Sequence, residues 1–306
     1  MKKPKILIIA GPTAVGKTSF SLRCAKELNG EIISSDSVQI YKELNIGSAK
    51  ATKEEQSQAV HHLIDFVNPD EEFSVSEFAS MCKQKINEVS QKGKLPIIVG
   101  GTGLFIKSLL YPMSFGKANK DENVRKKWEN FLEENGVDAL FDELLKVDKE
   151  SAMTIEKNNT RRVIRALEIF EVSGEKKSSQ TDLEQESDYD YKLLFLNKNR
   201  EELYSNINKR VEIMFSEGLE KEVYELVKKY NLTRQNQSMQ AIGYKEFFDY
   251  FENKKSLEEV KEDIKKATRH YAKRQITFFK YLKNVEIVEA SDIQKNLEEI
   301  KIWQKA

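Results

Sequence analysis

The stretch GPTAVGKT is the first part of the sequence whose residue types and spacing indicate chemistry. It matches in full the phosphate-binding pattern G-x-x-x-x-G-K-[ST]. In such a loop, backbone N–H groups and the N-terminus of the following helix hold a di- or triphosphate. Lys17 would contact phosphate oxygens, and the Thr18 hydroxyl would hold a Mg²⁺ ion. The predicted diphosphate-binding residues are Gly11, Pro12, Thr13, Ala14, Val15, Gly16, Lys17 and Thr18.

Two further segments place polar residues or glycines after short apolar runs. Asp36, in SSDSVQIY, follows the first of these runs. A carboxylate beside a phosphate site can act as a base or bind metal through water, or it can cap the next turn; spacing alone leaves both open. GGTG, residues 100–103, follows LPIIVGG, where a P-loop ATPase usually carries an acidic Mg²⁺ ligand. The missing acid disfavours plain ATP hydrolysis, and Thr102 offers a hydroxyl there instead.

The elements that must position these residues alternate between strands and helices. KILIIAG, EIISSD and LPIIVGG are typical of buried strands, and amphipathic helices separate them. This order predicts parallel strands, whose carboxyl ends bind ligands at one edge of the sheet. The pattern of residues 116–190 instead predicts three helices. After them, YKLLFLN and NVEIVEA are again typical of strands. We therefore predict an α/β fold: a P-loop NTPase-like parallel sheet core flanked by helices (1–115 and 191–306), with an inserted all-helical domain (116–190).

Basic residues concentrate in two places. Residues 261–283 contain eight Lys/Arg and two acidic residues, and helical spacing puts Lys265, Arg269 and Lys273 on one face. A second cluster, in RRVIR, comprises Arg161, Arg162 and Arg165. Such faces either follow a nucleic-acid backbone or are simply solvated. Together with the phosphate loop they make an RNA-modifying enzyme plausible, but composition does not choose it over a kinase.

Composition sets the broad class of protein. Fifty basic and fifty acidic residues cancel, which still allows a local nucleic-acid surface. Cys24 and Cys82 lack the spacing of a metal site or a disulfide framework, and His61 and His62 predict packing roles rather than a catalytic pair. The apolar run near the start is too short for a signal peptide, and no run approaches the roughly 20 residues of a membrane span. We expect a cytoplasmic protein without membrane contact.

Seven segments in this order resemble the bacterial tRNA dimethylallyltransferase (tRNA isopentenyltransferase) family, from about Lys5 to Lys283. They are GPTAVGKT, ISSDSVQIYKELNIGSAKAT, HHLIDFVNP, IIVGGTGLFIKSLL, RRVIRALEIFEVSGE, QAIGYKEF and AKRQITFFK. The resemblance implies transfer of the dimethylallyl group from dimethylallyl diphosphate to the exocyclic amine of the tRNA adenosine adjoining the anticodon on its 3′ side, with release of diphosphate. It also implies that the loop holds a prenyl diphosphate and that Mg²⁺ assists. The sequence does not fix the oligomeric state, for which we expect a monomer.

The resemblance also implies roles for individual residues. Asp36 would take the proton of the adenine amine, and Thr102 and Arg125 would act at the departing diphosphate. The helical insertion domain would grip the tRNA anticodon stem-loop. The residues implied to contact tRNA are Asp36, Ser37, Val38, Gln39, Arg161, Arg162, Arg165, Gln240, Gly243, Lys245, Lys273, Arg274 and Gln275.

Three other interpretations compete with this one. A P-loop kinase explains the loop and the sheet but not DSVQ, QAIGYKE or the basic clusters, and ATP binding at the loop stays open. A relative that prenylates free adenine nucleotides would not need a large RNA-gripping surface. An RNA-binding module with a vestigial loop conflicts with the intact Lys17, Thr18 and Asp36.

Overall fold

The computed structural model describes residues 3–111, 121–179 and 186–306. The strands are β1 (Lys5–Ala10), β2 (Gly30–Ser34), β3 (His61–His62), β4 (Leu95–Gly100), β5 (Asp190–Asn197) and β6 (Val285–Glu289). The helices are α1 (Lys17–Glu27), α2 (Lys53–Gln58), α3 (Val75–Gln91), α4 (Gly103–Leu110), α5 (Glu122–Val147), α6 (Lys149–Thr154), α7 (Thr160–Ser173), α8 (Arg200–Ser216), α9 (Leu219–Tyr230), α10 (Phe247–Phe251), α11 (Leu257–Lys280) and α12 (Ile293–Lys305).

Within the described ranges the strands form one parallel sheet in the order β3-β2-β4-β1-β5-β6. β1 lies inside the sheet, where it pairs with β4 on one side and β5 on the other. Because all strands run the same way, the segments after β1, β2 and β4 meet at one edge. The predicted parallel α/β core is confirmed. The strand β3 was not predicted, because two residues are too few to show a pattern.

The continuous apolar pattern of β1 reflects burial on both faces of the sheet. Every residue from Ile6 to Ala10 is 0% exposed. On one face, Leu7 and Ile9 pack in a cluster with Phe20 of α1 and Leu297 of α12. A strand covered on both faces has no polar side, which is why KILIIA shows no alternation. This rigid strand ends where the phosphate-binding loop begins.

The chain divides into two compact units, Met1–Leu110 with Ser187–Ala306, and Tyr111–Glu186. The predicted boundary near residue 115 lies outside the described residues. Within the second unit, α5 and α7 share an apolar core that includes Leu140, Leu144 and Val163. α5 changes direction at Gly136, whose φ is 82°. The two helices predicted before and after Gly136 therefore meet at a glycine kink, and α6 is an additional short helix.

Two expectations from composition concern cysteines and membranes. Cys24 and Cys82 are free thiols and both are buried. Burial raises the pKa of Cys24 to about 12, so this thiol is unreactive at neutral pH. In the part of the chain that the structure describes, no helix combines the length and apolarity that a membrane crossing requires.

Candidate active site

The phosphate-binding loop joins the end of β1 to the start of α1. Lys17 Nζ donates to the carbonyl oxygens of Gly11 and Pro12, each at 2.9 Å, so its ammonium group lies over the loop. Burial and the positive charge of Arg210 together lower the pKa of Lys17 to about 8, against the opposing effect of Asp36. Lys17, Arg210 and Asp36 therefore act on one another electrostatically at the mouth of the loop.

Arg210 of α8 is a site residue that the sequence analysis missed. Its Nη1 donates to Thr13 Oγ1 of the loop at 3.4 Å. Burial lowers the pKa of Arg210, while Glu55 and Asp36 raise it. A guanidinium stays charged even when its pKa falls, so Arg210 adds a permanent positive charge to the loop beside Lys17. Only a lone KR pair in a helical stretch marks this position in the sequence.

Asp36 lies just beyond β2 and caps the next turn, one of the roles that its spacing left open. Its Oδ1 accepts hydrogen bonds from the backbone N–H groups of Val38 (2.9 Å) and Gln39 (3.2 Å), which caps the turn. Both bonds use the same oxygen, and the role of Asp36 as a base stays a prediction. The same carboxylate acts electrostatically on Lys17 and on Tyr271. The Asp36 carboxylate is thus held by the turn that it caps and lies near the cationic loop.

Thr102 connects the segments that follow β2 and β4. Its Oγ1 accepts from Ser37 N at 3.2 Å and donates to Ser37 Oγ at 3.4 Å. Tyr271 of α11 hydrogen-bonds the side chains of Thr102 and Gln275, and burial raises the pKa of Tyr271 to about 12. The tyrosine is therefore a neutral hydroxyl at working pH. Like Arg210, it belongs to a helix far along the chain and was not predicted.

Gln275 of α11 bridges two strand ends. Its Oε1 accepts from Thr13 N at 3.0 Å, and its Nε2 donates to Gly101 O at 3.0 Å. The residue is 5% exposed. A Cβ at Gly101 would lie 2.1 Å from Gln275 Nε2, so only glycine allows this approach. Burial favours this bridging role over the predicted tRNA contact of Gln275.

If the loop holds dimethylallyl diphosphate, as the family resemblance implies, we expect Gln275→Ala to weaken its binding by about tenfold, because the change leaves the Thr13 N–H and the Gly101 carbonyl without their partner. Titration calorimetry without tRNA measures this affinity directly. Gln275→Glu keeps the acceptor for Thr13 N but puts a charged oxygen against the Gly101 carbonyl and beside the loop, so it should bind at least as weakly as Gln275→Ala. Unchanged diphosphate affinity in both variants, with weaker tRNA binding, would instead restore the predicted RNA contact.

Comparison of the sequence with known proteins identifies the family of this chain. The family model of the IPP transferases matches residues 39–282. The tRNA dimethylallyltransferase of Bacillus anthracis is 49% identical over 300 residues, which cover 97% of this chain and 95% of the relative. The chain belongs to this family.

Solved structures of the IPP transferase family share the fold. A tRNA isopentenylpyrophosphate transferase from Bacillus halodurans matches with 40% identity and a TM-score of 0.75, over 99% of this chain and 97% of that one. A eukaryotic dimethylallyltransferase described as acting on tRNA matches with 30% identity and a TM-score of 0.82, over 99% of this chain and 78% of that one. The P-loop NTPase-like core is therefore confirmed as a family property.

The tRNA contacts that the family resemblance implies on α11 and before α10 differ in exposure. Lys245, Lys273 and Arg274 are exposed, as an RNA contact requires. Arg274 also lies over the Tyr271 ring, 5.6 Å from its centroid. Gly243 is buried, and the Gln240 side chain donates to the carbonyl of Arg234. All these tRNA contacts stay predictions; the exposed cations are the ones placed to make them.

In the second unit, two of the predicted arginines share one carboxylate. Arg125 Nη2 and Arg165 Nη1 each lie 3.0 Å from Oε2 of Glu168, which is 0% exposed. The first turn of α7 carries Arg161 and Arg162, both exposed. The arginine cluster and the predicted catalytic arginine are thus held on the same pair of helices, and their roles in the family's reaction stay predictions.

His61 and His62 have structural partners, as predicted. The ring of His61 hydrogen-bonds the carbonyl of Ala59 at 2.8 Å, and His62 Nε2 contacts Glu31 at 2.7 Å. Glu31 is 2% exposed and also accepts from Lys92 and Lys94. Burial raises the pKa of Glu31, but the bonds from Lys94, His62 and Lys92 lower it to about 2. This cluster stabilises the sheet at the start of β2, away from the ligand edge.

We expect Glu31→Gln to lower the free energy of unfolding at pH 7 by about 1–2 kcal/mol. The change removes the buried negative charge and replaces one of its two acceptor oxygens by an N–H₂ donor, and the lysine partners are partly solvent-screened. The folded pKa lies below the ordinary value, so this stabilisation is present above pH 4.5 and is lost as the pH falls towards 2. Urea unfolding between pH 3 and 7 should show a flatter profile for the variant. Glu88→Gln, in a partly exposed pair with Lys85, is the matched control and should change less than Glu31→Gln.

Proposed function

We propose that this chain transfers the dimethylallyl group from dimethylallyl diphosphate to the exocyclic amine of the tRNA adenosine adjoining the anticodon on its 3′ side. Dimethylallyl transfer to tRNA is the activity for which its relatives are named. One observation carries the proposal. The phosphate-binding loop with its two cations, Lys17 and Arg210, and the turn-capping carboxylate of Asp36 lie at the same edge of the sheet. β4 brings Gly100, Gly101 and Thr102 to that edge instead of an acidic residue that would support phosphoryl transfer.

The loop residues stabilise the leaving diphosphate. Lys17 and Arg210 are the cations that act on each other at this loop, and the loop N–H groups add fixed dipoles aimed at phosphate oxygens. As the allylic C–O bond breaks, negative charge grows on diphosphate and positive charge on the allylic carbon. Preorganised cations lower the barrier because they stabilise the charge that develops on the leaving group. Arg125 would add a third cation, as the family resemblance implies.

Mg²⁺ fits this site only as an ion shared with the substrate. Among the described residues, no three His, Cys, Asp or Glu side chains lie close enough to hold a metal. Mg²⁺ commonly binds through one or two protein oxygens, several waters and substrate phosphates. The Thr18 hydroxyl, on the first turn of α1, is the protein ligand we propose. When bound, the ion supplies charge neutralisation for the diphosphate.

Asp36 acts as the proton acceptor. The adenine amine is a weak nucleophile, and its proton must leave as the new C–N bond forms. Asp36 Oδ1 is held by two backbone N–H groups, which fixes the direction of Oδ2. A positioned carboxylate of this kind accelerates proton transfer by about 10²- to 10⁴-fold. The target base must first leave its stack in the anticodon loop to reach it.

A transfer assay tests this function. Purified protein, Mg²⁺ and radiolabelled dimethylallyl diphosphate are offered unmodified tRNA, free AMP or no acceptor. We expect label in tRNA alone. Label in AMP would indicate a free-nucleotide prenyltransferase, and ATP consumption with a small acceptor would indicate a kinase. We further propose that the chain works as a monomer in the cytoplasm, which sedimentation and fractionation would check.

A further inference from the structure

Glu222 of α9 makes an unusual set of contacts with the loop that follows the DSVQ segment. Its Oε2 accepts from the backbone N–H groups of Asn45 (3.1 Å) and Ile46 (2.8 Å). Its Oε1 accepts from Gly47 N (3.1 Å) and from the Tyr244 hydroxyl (2.8 Å). One carboxylate thus satisfies four donors, and three of them are consecutive amides of a single loop. Charge-assisted bonds of this kind are stronger than neutral ones.

Tyr244 and Gly47 show that this arrangement is tightly packed. Tyr244 is 0% exposed, and a Cβ at Gly47 would lie 2.6 Å from its ring. The aromatic ring therefore lies directly against the loop backbone at the point where Glu222 binds it. Such close packing restrains the loop, because a movement of its backbone would break the hydrogen bonds to Glu222 and the contact with the Tyr244 ring together.

The same loop determines how Gln39 is oriented. Gln39 Nε2 donates to the carbonyl oxygens of Ser48 (3.3 Å) and Ala49 (3.1 Å), directly after the residues that Glu222 holds. Carbonyl oxygens only accept, so both bonds require the amide nitrogen on this side. The Oε1 of Gln39 therefore points the other way and is an acceptor for an N–H group. Gln39 also follows Asp36, which binds its backbone N–H at 3.2 Å.

We propose that Glu222 is a positioning residue for base recognition: through the loop at 45–49 it holds the Gln39 amide in the orientation that receives the target base. This rests on the proposed transfer to tRNA. Glu222 contacts neither the phosphate loop nor Asp36, so it should affect use of tRNA and not binding of dimethylallyl diphosphate. This role also gives Tyr244 of the QAIGYKE segment a function, since its hydroxyl donates to the Glu222 carboxylate.

The test is a double-mutant cycle between Glu222→Gln and Gln39→Ala. Glu222→Gln places an amide N–H group opposite backbone N–H groups, so we expect kcat/KM for tRNA to fall by about tenfold, with calorimetric affinity for dimethylallyl diphosphate unchanged. If Glu222 acts through Gln39, the double variant is no slower than Gln39→Ala alone. Glu225→Gln, on the same helix and in an exposed ion pair with Lys221 at 3.7 Å, is the matched control and should behave as wild type.

The outcomes separate cleanly. A wild-type chain that labels no tRNA overturns the proposed function, and this inference with it, before any variant is compared. With an active wild type, losses that multiply in the double variant, or a Glu222→Gln variant with normal kcat/KM, overturn the positioning role. If Glu222→Gln does not fold, Tyr244→Phe removes one of the four donors and enters the same cycle, with the same two readings.

Discussion

We expect Asp36→Asn to lower the turnover of dimethylallyl transfer by about 10²- to 10⁴-fold, the range typical of losing a positioned base. Asparagine keeps an Oδ1 that accepts from Val38 N and Gln39 N, so the turn after β2 keeps its shape. It lacks a carboxylate to take the amine proton. Single-turnover kinetics with saturating tRNA and labelled dimethylallyl diphosphate isolate the chemical step, and diphosphate binding should remain largely intact.

Asp36→Ala provides the comparison that divides the two roles of this residue. Alanine loses the turn acceptor as well as the base, so it should be at least as slow as asparagine. A fast Asp36→Asn with a slow Asp36→Ala would show that Asp36 serves as a turn cap and that another group accepts the proton. Equal and near-wild-type rates in both would remove Asp36 from the reaction.

The second large effect is expected at Lys17. We expect Lys17→Ala to lower turnover by about 10²- to 10³-fold, comparable to removing one preorganised donor from an oxyanion site. The ammonium lies over the loop on two carbonyl oxygens and can move to a diphosphate oxygen with its charge intact. Binding of dimethylallyl diphosphate should weaken as well, because ground state and transition state both carry the phosphate charge. Rate measurements at saturating substrate separate the two effects.

The lowered pKa of Lys17 makes this binding dependent on pH. Burial and Arg210 lower the pKa to about 8, so affinity for dimethylallyl diphosphate should fall as the pH rises through about 8 and the amine becomes neutral. The bound diphosphate favours the charged amine, so proton uptake should accompany binding near that pH. Calorimetry in buffers of different ionisation enthalpy measures it. Lys17→Arg keeps its charge and should flatten the profile; a profile unchanged from wild type would assign the titration to another group.

Local patterns in the sequence were enough to predict the elements that carry the first part of the site. β1, the loop and α1 follow from an apolar run, a glycine pattern and an amphipathic stretch that are adjacent in the chain. The kink at Gly136 and α7 follow from similar local signals. The short β3 and α6 were missed because two or six residues do not establish a period.

The sequence by itself thus determined the phosphate loop, Asp36 and Thr102, since each directly follows a strand whose apolar pattern is readable. Only the tertiary structure placed Arg210, Tyr271 and Glu222, and only it showed that Gln275, predicted as a tRNA contact, bridges two strand ends. Arg210 lies 197 residues from its partner Thr13, and Gln275 lies 262 residues from the same loop residue. Such partners are selected by how α8, α9 and α11 pack on the sheet, and packing depends on all contacts at once. A local sequence pattern indicates which face of a helix is apolar. It does not indicate which polar side chain of that helix will contact a distant loop.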